Sequence, residues 1–195
     1  MKKILVIVAL AMVSFANAQK GKYLVMGSIE YNSQNGSGQG SETKSRSFIF
    51  SPKVGYQFHE NWTAGIEGGI GTSKTELTTT EYSKSKSDFF SLGGFLRYSK
   101  PLNQTFSAYV DLGTGFTNQK NTSINGVNSS DNKANGFYVG LTPAIFINVD
   151  KGFGLNFNIG GLSYNNYDYE DGTNVVKSFN FNFGKAFSVG VSKNF

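Results

Sequence analysis

The sequence contains little of several residues on which common functions depend. It has no cysteine, which excludes disulfides and excludes a lipid attached to an N-terminal cysteine. Histidine occurs once, at His59, and proline three times. Charged residues make up 16% of the chain, against about 25% in soluble domains. No segment after the N-terminus is apolar over the roughly 20 residues that a transmembrane helix needs, so a membrane protein of this sequence must cross as strands.

Glycine and aromatic residues are abundant, at 24 residues and 15% of the chain. Together with clusters of Asn and Ser, they point to strands joined by turns. The formal net charge of +5 is spread along the chain, whereas nucleic-acid binding proteins concentrate it in a patch. No nucleic-acid partner is therefore predicted.

The N-terminus has the pattern of a secretory signal peptide. Residues 1–3 are basic, residues 4–13 are apolar, and Ala16 and Ala18 occupy the positions that a signal peptidase recognises. We expect cleavage before Gln19, which gives a signal peptide at residues 1–18 and one mature domain at residues 19–195. The alternative is an uncleaved membrane anchor, but the apolar run is shorter than the roughly 20 residues that span a bilayer.

The C-terminal segment alternates between large apolar and small polar side chains. Its apolar positions share one parity and are Phe179, Phe181, Phe183, Phe187, Val189, Val191 and Phe195. Successive side chains of a strand point to opposite faces, so the pattern predicts a strand with one apolar and one polar face.

Similar apolar stripes recur along the chain, and no helical periodicity competes with them. They lie at residues 23–31, 48–58, 62–70, 90–98, 106–116, 137–149 and 153–159. Long polar segments, predicted as loops at residues 32–45, 73–87, 117–135 and 164–177, alternate with short turns at residues 59–61, 99–103 and 150–152. Bacterial transmembrane barrels combine short periplasmic turns, longer extracellular loops and an even strand number. The predicted fold is all-β, an eight-stranded antiparallel up-and-down transmembrane β-barrel.

Alternation alone does not say which face points outward, because a soluble lipocalin-like barrel places its apolar face inside. Aromatic residues gather at both ends of the stripes, as in the two interfacial girdles of membrane barrels. The predicted girdles include Tyr23, Tyr31, Phe58, Trp62, Tyr98, Phe106, Phe137 and Phe153. The other face is mostly small and carries few charges, which suits a narrow interior better than a water-exposed surface.

A few charged residues have the parity of the small, inward face. They are Glu30, Lys53, Glu67, Arg97 and Asp111. A tight turn at residues 59–61 would place Lys53 opposite Glu67, where a buried pair is costly to break. A structural plug of mixed sign is the first interpretation, and a narrow ion path is the alternative; the ring of one sign that selective pores use is not visible.

Residues capable of chemistry are sparse, and no catalytic residue, cofactor or metal site is predicted. His59 lies in a short periplasmic turn, far from the outer rim where outer-membrane enzymes act. The acidic segment at residues 168–171 offers oxygen ligands, but its spacing does not fit an EF-hand loop, so a solvated loop is expected. In the same segment Tyr164, Tyr167 and Tyr169 favour contact with an unidentified surface ligand.

With these features together, the mature chain resembles the small outer-membrane β-barrels of the OmpA/OmpX type, without a peptidoglycan-binding domain. The resemblance implies the outer membrane of a Gram-negative bacterium, with outer-membrane lipid and lipopolysaccharide as neighbours. It also implies that the barrel-assembly machinery recognises the last strand, where Gly190 and Phe195 match the family's signal and Lys193 departs from it.

Function is expected from sites rather than from the fold. The first hypothesis is a non-enzymatic barrel whose exposed polar loops serve surface interaction or envelope integrity. A narrow porin-like channel for small solutes or ions is the alternative, and a lipid-modifying enzyme of the outer membrane is the third.

Overall fold

The chain forms a barrel of long strands. A computed structural model describes residues 23–38, 40–79, 82–126, 128–170 and 174–194, with the backbone alone at residues 185–189. The strands are β1 (Tyr23–Gly38), β2 (Ser41–His59), β3 (Trp62–Thr78), β4 (Tyr82–Pro101), β5 (Phe106–Asn125), β6 (Asn128–Asp150), β7 (Phe153–Tyr169) and β8 (Val175–Asn194). In these ranges no helix is long and apolar enough to cross a bilayer. The predicted signal peptide and Phe195 lie outside the described residues.

Each strand is antiparallel to the next, and β1 and β8 close the sheet into a barrel. The closure joins residues 24–27 of β1 to residues 191–194 of β8. At these residues, closure pairs the edge groups that a membrane-embedded sheet cannot leave unpaired. The predicted fold class, an eight-stranded up-and-down barrel, is confirmed.

The segments predicted as long loops are instead mostly strand. On this side of the barrel β1 ends at Gly38 and β2 begins at Ser41, and β5 ends at Asn125 and β6 begins at Asn128. Polar side chains hold these extensions together, as where the Ser45 and Thr75 hydroxyls lie 3.2 Å apart. At Gly126 the backbone φ is +57°, a left-handed conformation that favours glycine in a tight turn. Polar composition indicated loops, yet cross-strand pairing extends the ladder beyond the apolar stripes.

The apolar face of the barrel points outward. Ile66 and Phe116 are 63% and 79% exposed, whereas Arg97 and Asp111 are 5% and 3% exposed. This distribution is the reverse of that in a soluble barrel, and it suits lipid outside and side-chain packing within. A small apolar cluster of Leu24, Met26 and Phe95 is buried inside the barrel.

Aromatic residues mark the two ends of the outward apolar band. The residues predicted for the girdles are all outward and between 37% and 66% exposed: Tyr23, Tyr31, Phe58, Trp62, Tyr98, Phe106, Phe137 and Phe153. Neighbouring rings pack at centroid distances of 5.0 Å for Trp62 and Tyr98 and 5.9 Å for Phe137 and Tyr164. A strand tilted by about 40° climbs roughly 2.5 Å per residue, so the separation of ten positions between Phe106 and Phe116 matches a band of about 25 Å.

Candidate functional site

A polar network crosses the interior of the barrel, and Asp111 on β5 is at its centre. Arg97 on β4 donates from Nε to Asp111 Oδ1 at 2.6 Å and from Nη2 to Oδ2 at 2.9 Å. Lys53 on β2 donates to Asp111 Oδ2 at 3.1 Å. A bidentate guanidinium and an ammonium therefore satisfy a carboxylate that is almost fully buried.

Glu67 on β3 extends the network toward the other wall of the barrel. Lys53 Nζ lies 2.7 Å from Glu67 Oε2, and the Tyr138 hydroxyl on β6 donates to Glu67 Oε1 at 2.8 Å. The direct register of Lys53 with Glu67 follows from the tight turn between β2 and β3. Lys53 thus bridges two carboxylates.

The remaining strands reach the network through neutral groups. The Arg97 guanidinium lies 3.7 Å from the ring centroid of Tyr109, a stacked arrangement that favours the cation. Tyr109 donates from its hydroxyl to Asn156 Oδ1 at 3.0 Å, and Asn156 donates to Ser192 Oγ at 2.9 Å. Arg97 Nη2 also lies 3.2 Å from Met26 Sδ. Every strand from β1 to β8 therefore contributes at least one side chain.

Glycines on the inward face make room for these large groups. A Cβ at Gly113 would lie 2.3 Å from Glu67 Oε1, so any larger residue there displaces the carboxylate. A Cβ at Gly65 would lie 2.7 Å from the Phe95 ring and 2.1 Å from the Val54 carbonyl oxygen. The inward glycines are thus required by close packing, as is typical where a backbone or side chain approaches closely.

The network is formally neutral and crosses the interior of the barrel. Arg97 and Lys53 provide two positive charges, and Asp111 and Glu67 provide two negative charges, each within hydrogen-bonding distance of an opposite charge. Selective pores line a water path with charges of one sign, whereas here each charged side chain is paired with one of opposite sign. The mixed signs distinguish this arrangement from the charged ring of a selective pore.

A family model described as an outer membrane protein beta-barrel domain matches residues 4–195. The chain belongs to this outer-membrane β-barrel family. The family is one of the Gram-negative outer membrane, and the resemblance inferred from the sequence is confirmed.

Solved outer-membrane barrels are similar to this family member at low sequence identity. The translocator domain of the autotransporter NalP from Neisseria meningitidis shares 16% identity at a TM-score of 0.44 over 88% of this chain, which spans only 62% of that domain. Neisserial surface protein A shares 16% identity at a TM-score of 0.43, covering 90% of this chain and 98% of its own. Ail, the attachment invasion locus protein of Yersinia pestis, shares 16% identity at a TM-score of 0.43, covering 91% of this chain and 100% of its own. No curated protein matches the sequence.

Of the predicted inward charges, Glu30 stays apart from the network of this outer-membrane barrel. It has the same parity on β1 as Met26, but its side chain is exposed and accepts a hydrogen bond from Asn32 Nδ2 at 2.8 Å. Glu30 is four residues farther from the periplasmic end than Met26, and β1 is paired with β8 only at residues 24–27. Its parity is inward, but its height places it in the open part of the barrel.

Several members of the network were missed by the sequence analysis. They are Met26, Phe95, Tyr109, Tyr138, Asn156 and Ser192. The signal for the aromatic members was present, since Tyr109 and Tyr138 are large residues at positions of the small, inward parity. Asn156 and Ser192 carried no such signal because small polar residues are the rule on that face.

Inside the barrel, on the side of the long hairpins, the network borders a cavity of about 360 Å³. Lys53, Glu67, Tyr138, Ser91 and Asn165 are among its lining residues. The Lys53 side chain is 21% exposed, so part of the network faces this space.

The predicted assembly signal is only partly within the described chain. Gly190 is buried, and a Cβ there would lie 3.2 Å from the Gly27 carbonyl oxygen of β1. This close approach gives Gly190 a role in packing the barrel's seam, alongside the predicted role in recognition. Lys193 donates to the Lys151 carbonyl oxygen at 2.7 Å, at the periplasmic turn between β6 and β7.

The two other sites considered from the sequence lie at opposite ends of the barrel. His59 ends β2 on the periplasmic side. Asp168 pairs in register with Asn135 and Val175 in the outer hairpins, and Glu170 Oε2 lies 3.9 Å from Lys133 Nζ. Asp171, the last residue of the acidic segment, lies outside the described residues.

Ion pairs between neighbouring strands stabilise the outer hairpins. Lys120 Nζ lies 2.7 Å from Asp131 Oδ2, and hydrogen bonds from Lys120 and then Thr122 hold the pKa of Asp131 below its usual range. A carboxyl with a lowered folded-state pKa adds stability above its unfolded pKa and loses it as the pH falls through the folded pKa. This pair therefore persists under mildly acidic conditions.

A carboxyl titration followed by carbon-13 NMR in nanodiscs checks this shift. We expect Asp131 to titrate below the ordinary aspartate range and to return toward that range in Lys120→Gln, because the main hydrogen bond is lost. Glu76, whose pKa is lowered mainly by a hydrogen bond from Lys74 on the same strand, should titrate identically in both proteins. An unchanged Asp131 titration in Lys120→Gln would show that the pair does not form.

Proposed function

We propose that this chain is a non-enzymatic, non-conducting surface barrel of the outer membrane. The observation that carries the proposal is the neutral network to which every strand contributes, with Asp111 at its centre. Such an interior stabilises the barrel, and its charges are paired with one another and do not form the ring of one sign that selective pores use. The functional part of the protein is then the surface that its hairpins expose to the medium.

The outer hairpins provide that surface. Beyond the outer ends of the apolar stripes, β2 to β6 continue for seven to nine residues as polar strands rich in Ser, Thr, Asn and Lys. Paired strands are stiffer than loops, so these hairpins present a preordered polar wall to the medium. Tyr169 ends β7 at the rim of this wall and favours contact with a surface ligand, whereas Tyr167 lines the cavity inside the barrel. Either ligand binding or reinforcement of the envelope would use such a wall.

Single-channel recording in planar bilayers tests the closed interior. We expect the inserted wild-type barrel to give no steady current, because the network and the Phe95 cluster fill the cross-section. The double variant Arg97→Ala/Asp111→Ala removes the central pair together, keeps the interior neutral, and should give small unitary currents through the space vacated. Insertion is verified for both by heat-modifiable gel mobility. Steady unitary steps from the wild type would contradict the proposal.

A narrow channel is the second candidate, and the cavity above the network favours it. That cavity of about 360 Å³ is lined by Lys53, Glu67 and Asp111, so it reaches the charged residues of the network. Rearrangement of Lys53 between Glu67 and Asp111 would be the simplest way to extend it. The same recordings decide between the two candidates.

Enzymatic modification of lipid has less support. It would require a nucleophile and a base at the outer rim, and the single histidine, His59, ends β2 at the opposite side of the membrane. The barrel-assembly machinery remains a proposed partner, through the last strand and its Gly190.

A further inference from the structure

Five neighbouring strands repeat one spacing on the outward face. Each carries a lysine four residues beyond the residue that ends its lipid-facing apolar stripe. The pairs are Phe48 and Lys44 on β2, Ile70 and Lys74 on β3, Phe90 and Lys86 on β4, Phe116 and Lys120 on β5, and Phe137 and Lys133 on β6. A spacing of four preserves parity in a strand, so these lysines, which we call the lysine belt, point outward.

The belt is exposed and is held in register by the sheet. Its side chains are between 41% and 52% exposed. Lys74 pairs directly with Lys86, and Lys120 pairs directly with Lys133. Like charges directly opposite on neighbouring strands are destabilising, so the belt requires anions nearby. In the structure each belt ammonium has one carboxylate within 4.0 Å, and a phosphate bound at the belt would share the lysines with these carboxylates or replace them.

Carboxylates near the belt lie mostly on its far side from the membrane. Glu76 Oε1 is 2.6 Å from Lys74 Nζ and Asp131 Oδ2 is 2.7 Å from Lys120 Nζ, and both acids are six residues beyond the apolar stripes of their own strands. Glu42 and Glu170 also lie beyond the belt, whereas Asp88 lies on its membrane side, 2.5 Å from Lys86 Nζ. Positive charge is therefore nearest to the bilayer on most strands.

Arg46 adds to the positive charge on the membrane side. It is exposed, lies two residues beyond Phe48, and pairs in register with Lys74. Arg46, Lys74 and Lys86 thus form a row of three basic side chains across β2, β3 and β4.

The backbone of the belt lies just beyond the headgroup layer of the outer leaflet, at a distance that a lysine side chain can cover. Four residues of a tilted strand rise about 10 Å above the end of the apolar band. The polar layer on each side of the hydrocarbon is about 5–8 Å thick, and a lysine stem can lie along apolar surface while its ammonium reaches the interface. The ammonium groups are consequently within reach of headgroup phosphates.

We propose that the lysine belt binds the phosphate groups of the phosphorylated glycolipid that forms the outer leaflet. The proposal rests on the placement of the barrel in the outer membrane with its long hairpins outward, and it is independent of whether the interior conducts. The bound lipids would form a collar on β2 to β6, the strands whose hairpins carry the belt.

Binding of fluorescent diphosphoryl lipid A to the full barrel in phosphatidylcholine nanodiscs tests the proposal. Two double variants break the same two ion pairs but change the charge in opposite directions: Lys74→Gln/Lys120→Gln and Glu76→Gln/Asp131→Asn. We expect the lysine variant to bind more weakly, by roughly fivefold for each lysine removed, and the carboxylate variant to bind more tightly. Lys100→Gln/Lys151→Gln, which removes equal charge at the periplasmic end, should bind as the wild type does.

Several outcomes would overturn the proposal. Equal changes in the two ion-pair variants would show that hairpin stability, and not lipid phosphate, controls binding. Equal affinity for lipid A stripped of its phosphates would exclude phosphate recognition. Saturation by inorganic phosphate alone at millimolar concentration would identify a site for free phosphate. Gel mobility confirms that each variant is folded, and channel recording remains a separate test of the closed interior.

Discussion

Replacing Asp111 with alanine is expected to lower the free energy of unfolding by about 3–5 kcal/mol, because removal of one partner from a buried ion pair leaves an uncompensated charge. Asp111 accepts hydrogen bonds from both Arg97 and Lys53, and it is only 3% exposed. Lys53 keeps Glu67 as a partner, whereas Arg97 loses both of its carboxylate contacts. The guanidinium then lies in the interior against Tyr109 with no anion.

Urea unfolding in micelles, followed through Trp62, the single tryptophan, measures this loss. Asp150→Ala removes an aspartate that is exposed at the periplasmic end, and it should change stability by no more than about 0.5 kcal/mol. The double variant Asp111→Leu/Arg97→Met replaces the pair with apolar groups and should recover most of the loss. If Asp111→Ala is no more destabilising than Asp150→Ala, the network does not hold the barrel together.

Local features of the network were predictable, because a short hairpin fixes its own register. The turn after His59 places Lys53 against Glu67, and parity alone puts both residues inside the barrel. The same two rules place Arg97 and Asp111 on the inward face.

Contacts that depend on closure of the barrel were not predictable from the pattern. Asn156 contacts Tyr109, and Ser192 contacts Asn156, because of how β7 and β8 are staggered, and the register between these two strands shifts between Asn158 and Gly160. Glu30 is a second example: the parity of the strand predicted that it faces inward, but not that it lies too far along the barrel axis to reach the network.

Polar composition was the source of the largest difference between expectation and structure. Serine, threonine and asparagine form the outer hairpins as well as loops, and their cross-strand hydrogen bonds keep the ladder intact. The segment at residues 117–135, predicted as a loop, offered no face on which Lys120 and Lys133 could be placed. Once it is strand, the spacing from Phe116 and Phe137 aligns both lysines with the rest of the belt.

Replacing Leu112 with arginine is the most direct test of which face meets the lipid. Leu112 is 46% exposed on β5, between the girdle residues Phe106 and Phe116 and near the middle of the apolar band. A lipid-facing arginine near the bilayer midplane costs about 2–4 kcal/mol, and the cost falls to about 0–1 kcal/mol near an interface. We therefore expect Leu112→Arg to lower the free energy of unfolding in bilayers by about 2–4 kcal/mol.

Val149→Arg provides the matched control, because Val149 is 61% exposed on the outward face at the periplasmic end of β6. The arginine there can reach the interface, so the loss should stay below about 1 kcal/mol. Urea unfolding of both variants in vesicles of one lipid measures the two losses of unfolding free energy. Because both substitutions introduce arginine on the outward face, the difference between these losses reports the depth of the two positions in the membrane. If the face were bathed in water, each arginine would be an ordinary surface substitution, with effects within about 0.5 kcal/mol and no dependence on height. Equal, small losses at the two positions would thus contradict the placement of this apolar band in the membrane.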